Sequence, residues 1–389
     1  MKMMMNRQIK ITLSLVLTSL MLLTISSCSS AATSPQQQVE RIQGKAKAAK
    51  QGVIDWKRSG KDPSKMLKLM SQVKPAMDNK DFNKAESMLD EVLEMLKQGD
   101  GAATASRTVP AGESVTEEFG APEKVNIVDY SEDTMEPFIS RDGKYLFFNN
   151  LNDPHINTNL YYAERIDALN FKFKGEVKGV NSKALDAVPT MDEHNNFCFV
   201  STREFSSTKI TLFCGSFDNG EVSNVHPIGD TLKEKEGLWL NMGPELSPDG
   251  NTLYYTESNL DPKTGIPKVL DIVFAVRKNS AFYRADSSDE IMKNINTDEL
   301  EYAPSISNDG RELFFTRAGQ LIVGNQSVGS DLRIYMAKRN NPGEPFGKPG
   351  LIGSIAGFVE GPTVTGDGKS LYYHKKEGSR FHIFRVTRK

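Results

Sequence analysis

Cysteine is scarce in this chain, and neither sign of charge dominates it. Cys28, Cys198 and Cys214 are the only cysteines among 389 residues, too few for a fold that depends on many disulfides. Lysine and arginine number 48 and aspartate and glutamate 50, so the formal net charge is −2. That balance excludes the strongly basic surface expected of a nucleic-acid-binding protein.

Long apolar runs and familiar catalytic motifs are also missing. Beyond the first 25 residues, no apolar stretch approaches the roughly 20 residues that a spanning helix needs. The chain has no G-x-S-x-G, HExxH, Walker or dinucleotide-binding motif. The histidines show no metal-ligand spacing: His155, His194, His226, His374 and His382. We therefore predict no cofactor, no metal site and no catalytic residue of a standard motif.

The beginning of the chain has the pattern of an export signal. A basic start is followed by an apolar run over residues 11–25 and by small residues up to Cys28, as in secretory signal peptides. Small residues directly before a cysteine resemble the bacterial lipobox, in which that cysteine is lipidated. We predict a signal peptide over 1–27 and a lipidated tether over 28–35. The alternative is an ordinary signal peptide with an incidental cysteine.

The resemblance to lipoproteins implies a location. Ser29 follows the cysteine, where lipoproteins kept at the inner membrane have an aspartate. The resemblance therefore implies the cell envelope, on the periplasmic face of the outer membrane or at the cell surface. Contact with the membrane would be made through the N-terminal lipid.

Residues 36–98 have helical periodicity. Apolar side chains recur at helical spacing over 66–77 and again over 82–96, and an earlier helix is expected over about 37–58. The second of the periodic stretches resembles half of a tetratricopeptide unit. We predict a small helical hairpin or bundle that acts as a spacer, with a partner-binding groove as the alternative.

After a linker predicted over 99–118, one motif recurs five times in residues 119–389. Each copy starts with a proline and ends with an aliphatic–aromatic run, and four copies contain Asp-Gly between the two. The prolines are Pro137, Pro189, Pro244, Pro304 and Pro362. A period near 50 residues with a strand–turn–strand core is typical of propeller blades.

The chemistry of the motif agrees with that interpretation. Proline can begin a strand because its missing N–H costs little there, and Asp-Gly forms a tight hairpin turn. A run that is apolar on both faces suits a sheet packed between two neighbours. The second copy has Glu-His-Asn-Asn at 193–196 instead of Asp-Gly, so a longer or irregular turn is expected there.

The motif resembles the PD40 repeat of TolB-like periplasmic propellers, in which proline, Ser-Pro-Asp-Gly and an aliphatic–aromatic pair recur. The resemblance covers 119–389 and implies a mainly β fold, a five-bladed β-propeller with six blades as the alternative. The last copy stops after its third strand, while 119–125 is similar to 346–352 before the fifth copy. We therefore expect 119–125 to supply the outer strand of the last blade, which closes the ring without a free edge.

Polar side chains lead into the predicted inner strands, near the channel mouth where propellers commonly bind ligands. They are Asp133, Glu136, Asp186, Asn241, Glu301 and Glu360. We favour the interpretation that they bond to strand-entry N–H groups and hold the blades in register. The alternative is an acidic mouth that binds a metal ion, a cationic peptide or a sugar.

The two remaining cysteines lie on consecutive predicted strands of one blade. An oxidising compartment would permit a disulfide between Cys198 and Cys214. We nevertheless expect two buried thiols, because disulfides between adjacent strands are geometrically awkward.

The leading functional hypothesis is a non-enzymatic binding or scaffold module of the cell envelope for a protein or saccharide ligand. It rests on the lipidation signal, the helical spacer and a propeller without a catalytic motif, since fold alone does not determine function. The alternative is a carbohydrate-active enzyme of glycosidase type, with paired carboxylates about 5–9 Å apart, and Asp133, Asp186 and Glu301 as first candidates. A propeller accessory to a peptidase is less favoured, because no hydrolase domain follows the last blade.

Overall fold

The computed structural model of the protein has two compact units. It describes residues 35–58, 63–98, 113–152, 157–228, 232, 238–260, 267–323, 326–378 and 380–389. The predicted signal peptide, Cys28 and most of the predicted linker lie outside these residues. Within the described part of the chain, no helix has the length and apolar character to cross a membrane.

The first unit is a bundle of three helices, as predicted. They are α1 (Pro35–Arg58), α2 (Ser64–Asp78) and α3 (Phe82–Gln98). Their apolar faces share one core, which includes Ile42, Val53, Met66, Leu89 and Val92. On the outside, Lys45 pairs with Glu86 at 2.8 Å and Asp90 at 2.7 Å, which ties α1 to α3.

The second unit consists of five β-sheets, each the blade of a propeller. Blade 1 contains β4 (Met135–Ile139), β5 (Tyr145–Asn149), β6 (Leu160–Arg165) and β7 (Asn170–Glu176). Blade 2 contains β8 (Asp186–Met191), β9 (Asn196–Ser201), β10 (Leu212–Asp218) and β11 (Glu221–Pro227). Blade 3 contains β12 (Leu238–Leu246), β13 (Thr252–Leu260), β14 (Pro267–Lys278) and β15 (Ala281–Arg284). Blade 4 contains β16 (Leu300–Ile306), β17 (Glu312–Val323), β18 (Gln326–Lys338) and β19 (Gly350–Ile352). Blade 5 contains β20 (Val359–Val364), β21 (Ser370–Glu377) and β22 (Arg380–Thr387).

The first strand of each blade is innermost, and these strands close a ring. Each contacts the first strand of the next blade, and the fifth contacts the first. The prediction of a mainly β, five-bladed propeller is therefore confirmed. Two short helices lie between strands: α4 (Phe205–Thr208) connects β9 with β10 within blade 2, and α5 (Ser288–Met292) lies between β15 of blade 3 and β16 of blade 4.

Apolar residues on both faces of a strand are explained by the packing of the blades. In β5, every residue is buried. Leu146 and Phe148 share a core with Tyr372 of blade 5, whereas Phe147 packs in a core with Phe197 of blade 2. Successive side chains of a strand point to opposite faces, so one strand supplies two interfaces.

The turn of blade 2 differs from the expectation. Asn195 occupies the position that glycine has in the other turns, with φ of 62° against 71° for Gly143. The turn therefore has the same length as the others. Asparagine tolerates this left-handed conformation. The Asp192 carboxylate accepts the N–H groups of His194 and Asn196 and closes the turn. The expected longer or irregular turn is thus wrong.

The N-terminal segment of the propeller closes the ring as predicted and does more besides. Phe119 bridges Arg388, and β2 (Glu123–Lys124) pairs with β22 as the outer strand of blade 5. In addition, β1 (Ser114–Thr116) pairs in parallel with β19 of blade 4, and β3 (Asn126–Val128) with β7 of blade 1. The segment therefore joins three consecutive blades, and the propeller begins before the end of the predicted linker.

Cys198 and Cys214 form a disulfide within blade 2, so the expectation of two thiols is wrong. The two residues are directly opposite each other on β9 and β10. This register brings their Cα atoms to 4.1 Å, close enough for the sulfur atoms to bond without a shift of either strand.

Candidate functional site

The residue directly before each repeat proline adopts a left-handed backbone conformation. These five residues, which we call the axial ring, are Glu136, Val188, Gly243, Ala303 and Gly361, with φ of 47°, 53°, 54°, 50° and 63°. Each sits at a bulge in its inner strand. Such backbone is costly for residues other than glycine, and most of all for a β-branched one such as Val188. All five inner strands therefore carry the same bulge at the same level of the ring.

The residue after the proline connects neighbouring blades in four of the five copies. In four of the five interfaces between the described blades, its side chain accepts an N–H from the next inner strand. The bonds run from Leu246 to Thr190 at 3.1 Å, Ile306 to Glu245 at 3.1 Å, Val364 to Ser305 at 3.1 Å and Ile139 to Thr363 at 3.3 Å. They hold the inner strands in register on one side of the axial ring.

A buried ion pair crosses the axis at this level. Arg141 of blade 1 donates to the Glu245 carboxylate of blade 3 at 2.8 Å and to the carbonyls of Leu246 and Ile306 at 2.7 and 3.0 Å. Blades 3 and 4 are not neighbours of blade 1 in a ring of five, so the guanidinium must cross the middle. Both side chains are 3% exposed. The pair therefore fills the channel on this side.

A second set of side chains accepts N–H groups of the axial ring itself. They stand twelve residues after the prolines, in the second strands of the blades. Val188 donates to Asn149 at 3.2 Å, Gly361 to Thr316 at 3.1 Å and Glu136 to His374 at 3.1 Å. In blade 2, the Ser201 hydroxyl instead accepts from Arg203 at 2.8 Å. In blade 3, the fully buried Thr256 hydroxyl has no partner among the described residues.

A cavity of about 60 Å³ opens where this second set of bonds is incomplete. We call it the axial cavity. Its apolar walls come mainly from blades 2 and 3: Leu185, Ala187, Val200, Leu240, Met242 and Leu260. The polar residues that line it are Glu136, Asn152, Thr256 and Tyr302, with Glu136 as the one carboxylate among its described lining residues. A water molecule needs about 10–15 Å³, so there is room for about four to six water-sized groups.

Glu136 belongs to a buried polar cluster with His374, Glu360 and Tyr302. His374 Nδ1 accepts the Glu136 N–H, which leaves the Nε2 proton to donate to Glu360 at 3.3 Å. The Tyr302 hydroxyl donates to the other Glu360 oxygen. Burial lowers the pKa of His374, consistent with a neutral ring in this tautomer. Burial also raises the pKa of Tyr302, which therefore remains a donor.

The side chain of Glu136 is placed differently from that of Glu360. It is 6% exposed, and no hydrogen bond from the described residues reaches its carboxylate. Burial, reinforced by the charge of Glu360 and opposed by His374, raises the pKa of Glu136 to about 7. A Cβ at Gly361 would stand 2.9 Å from a Glu136 carboxylate oxygen, so this carboxylate lies close to the inner strand of blade 5.

Two other predicted site residues, Asp186 and Glu301, have equivalent positions and equivalent partners. Asp186 accepts from the N–H and hydroxyl of Ser182 at 2.6 and 2.7 Å and from Arg203 at 2.7 Å. Glu301 accepts from Thr297 in the same two ways at 3.0 and 2.6 Å and from Arg317 at 2.7 Å. Each carboxylate therefore ties the loop before its inner strand to an arginine of its own blade.

The remaining predicted residues also have local partners. Asn241 donates to the Leu232 carbonyl at 2.9 Å. Asp133 accepts the Phe381 N–H at 2.7 Å and so links blade 1 to blade 5. Of the six predicted site residues, the structure brings together Glu136 and Glu360 in one cluster, and Glu136 alone lines the axial cavity.

Sequence reasoning missed His374, Tyr302 and Thr256. One signal was present for the first: His374 stands at the position that carries asparagine, serine or threonine in the other copies. A similar signal marks Glu136, since the other copies have valine, alanine or glycine before the proline. No comparable signal distinguishes Thr256 from Thr316, which is the same residue at the same repeat position.

Nowhere in the described part of the chain do three histidine, cysteine or acidic side chains form a metal-binding group.

Comparison with known proteins finds similar solved structures but no matching family. No protein-family model and no curated protein matches this chain. The structure of a complex of BT0996 with RGII aligns over 71% of this protein and 92% of its own length, at 11% identity and a TM-score of 0.48. A putative TolB from Agrobacterium tumefaciens aligns over 70% of this protein and 84% of its own length, at 14% identity and a TM-score of 0.38. A thermostable family-43 glycoside hydrolase aligns over 68% of this protein and 91% of its own length, at 15% identity and a TM-score of 0.41. Similarity at this level concerns the arrangement of strands and does not separate a binding protein from an enzyme.

Proposed function

We propose that the protein is a lipid-anchored binding module of the bacterial cell envelope, whose propeller holds a protein or saccharide ligand at the mouth of its channel. The observation that carries this proposal is the axial cavity. It is small and its walls are mostly apolar. Its lining includes Glu136, whose carboxylate accepts no hydrogen bond from the described residues. Such a site is suited to hold one projecting group of a larger ligand, because polar groups fix orientation while apolar walls provide contact.

The arrangement of carboxylates argues against the glycosidase alternative. A glycosidase needs two carboxyl groups that flank one sugar bond. Asp186 and Glu301 are each engaged by a loop and an arginine. Glu136 and Glu360 lie in one cluster, yet Glu360 already accepts from Tyr302 and His374.

Binding without turnover is the expected behaviour of the purified full chain. We would present plant, algal and peptidoglycan-derived saccharides, together with envelope-derived peptides, and measure both retention and hydrolysis. We expect at least one ligand class to be retained and no glycosidic bond to be cleaved. Hydrolysis that disappears in Glu136→Gln or Glu360→Gln, with an unchanged circular dichroism spectrum, would establish the enzyme instead.

Membrane attachment is tested separately. If the lipid on Cys28 is the anchor, Cys28→Ser should move the protein almost completely from the membrane fraction to the soluble fraction, because the acyl chains supply the membrane affinity. Immunoblots of fractionated cells measure this distribution, with Ser29→Ala as the matched control that leaves the cysteine in place. Equal membrane association of Cys28→Ser and wild type would contradict the lipoprotein proposal.

A further inference from the structure

We propose that the axial cavity binds the side chain of a lysine from a partner protein, with its ammonium group on Glu136. This inference rests on the proposed binding function and names the chemistry of the ligand. It starts from an unusual combination: a carboxylate that is 6% exposed, lines a cavity and accepts no hydrogen bond from the described residues. Buried carboxylates are normally paired, because an unpaired buried charge is costly.

A second unpartnered polar group lies in the same cavity. The Thr256 hydroxyl is buried and has no partner among the described residues. The corresponding Thr316 hydroxyl in blade 4 accepts the N–H of Gly361. Thr256 lines the cavity, so the wall includes a buried hydroxyl that the repeat uses elsewhere as an acceptor for its own closure.

The size and polarity of the cavity select among cations. A lysine side chain has a flexible stem of four carbons and a compact ammonium with three donors, which matches room for about four to six water-sized groups. Its stem would lie against Leu185, Leu240 and Leu260 of the apolar wall. An arginine is larger and brings five donors in a planar fork. A calcium ion takes six to eight oxygen ligands, more than this cavity presents.

The charges around Glu136 favour a cation. Three titratable side chains of blades 4 and 5 belong to its cluster: Tyr302 on β16, Glu360 on β20 and His374 on β21. Burial lowers the pKa of His374 and raises that of Tyr302, so both remain neutral near pH 7. The negative charge of Glu360 disfavours ionisation of Glu136 in the empty site and would attract an ammonium.

Proton linkage gives the site a distinctive pH dependence. The pKa of Glu136 is raised to about 7 in the empty site, and a bound ammonium favours the ionised form. Affinity should therefore be full above that pKa and fall about tenfold for each pH unit below it. The lysine ammonium, with a pKa of about 10.4, remains charged throughout this range.

The test uses the purified full chain and two tripeptides in calorimetric titration, N-acetyl-Ala-Lys-Ala-amide and its norleucine analogue, which keeps the stem and lacks the ammonium. We expect the lysine peptide to bind at least tenfold more tightly than the norleucine peptide at pH 8, and about tenfold more weakly at pH 6 than at pH 8. Glu136→Gln should remove at least tenfold of the lysine-peptide affinity and leave the norleucine peptide unaffected. Glu164→Gln, at an exposed carboxylate of blade 1, is the matched control and should change neither.

The pH series on the wild type keeps the test decisive even if Glu136→Gln fails to fold. Equal affinity for the two peptides, absence of lysine-peptide binding, or an affinity independent of pH between 6 and 8 would overturn the inference. If a ligand found in the retention experiment binds wild type and Glu136→Gln equally well, the inference fails while the proposed binding function stands.

Discussion

Replacing Arg141 with methionine is expected to lower the free energy of unfolding of the propeller by about 3–5 kcal/mol, the usual cost of removing one partner of a buried ion pair. Without the guanidinium, the Glu245 carboxylate remains buried at the axis and keeps only its bonds from Thr190, Ser305 and the Ile306 N–H. The carbonyls of Leu246 and Ile306 also lose a donor.

Urea denaturation followed by circular dichroism measures this effect. The matched control is Lys174→Met, which breaks an exposed ion pair with Glu164 and should cost no more than about 1 kcal/mol. The double variant Arg141→Met, Glu245→Gln should recover part of the loss, because no unpaired charge remains. A loss of less than about 1 kcal/mol for Arg141→Met alone, the level of an exposed pair, would show that the pair does not hold the blades together.

Removal of the N-terminal strands of the propeller should abolish its cooperative unfolding. A chain that begins at residue 111 keeps β1, β2 and β3 and should retain the melting temperature of the propeller within a few degrees. A chain that begins at residue 129 loses all three and should fail to fold. The deleted segment buries Phe119, Val125 and Ile127, worth about 1.5–3 kcal/mol each. Their sum approaches the entire stability of a typical domain, about 5–15 kcal/mol.

Point substitutions check that result without a deletion. Ile127→Ala, at a residue that is 7% exposed, should cost about 2–5 kcal/mol. The control is Val115→Ala in β1, where the side chain is 38% exposed and the cost should remain below about 1 kcal/mol. Similar melting curves for the two shortened chains would mean that closure does not depend on this segment.

Features that depend on neighbours along the chain were predictable. Asp-Gly at the turn and the aliphatic–aromatic run act within about a dozen residues, so each copy reports its own blade. The repeat prolines were expected to begin the inner strands, which is wrong: they lie inside these strands at the bulges, as Pro137 does within Met135–Ile139. The partner strand of β22 was also predictable, because 119–125 repeats the pattern of 346–352. The pairing of β1 with blade 4 was not, since a three-residue parallel pairing has no recognisable pattern. The Cys198–Cys214 disulfide was not predictable either. It depends on the register between β9 and β10, and a shift of one residue would move the two cysteines out of line.

The amino-acid sequence by itself predicted a helical hairpin or bundle and a propeller of five blades, with six as the alternative, closed by its own N-terminal segment, because local turn chemistry and a fivefold repeat specify those features. Only the tertiary structure decided which polar groups meet at the axis. Glu136 and His374 are brought together by ring closure, and Arg141 reaches Glu245 across the middle. Thr256 and Thr316 are identical in type and repeat position, yet the Thr316 hydroxyl accepts an N–H, whereas the Thr256 hydroxyl is buried without a partner among the described residues. The difference arises from the position of the neighbouring blade, a property of the packed ring that no single repeat encodes.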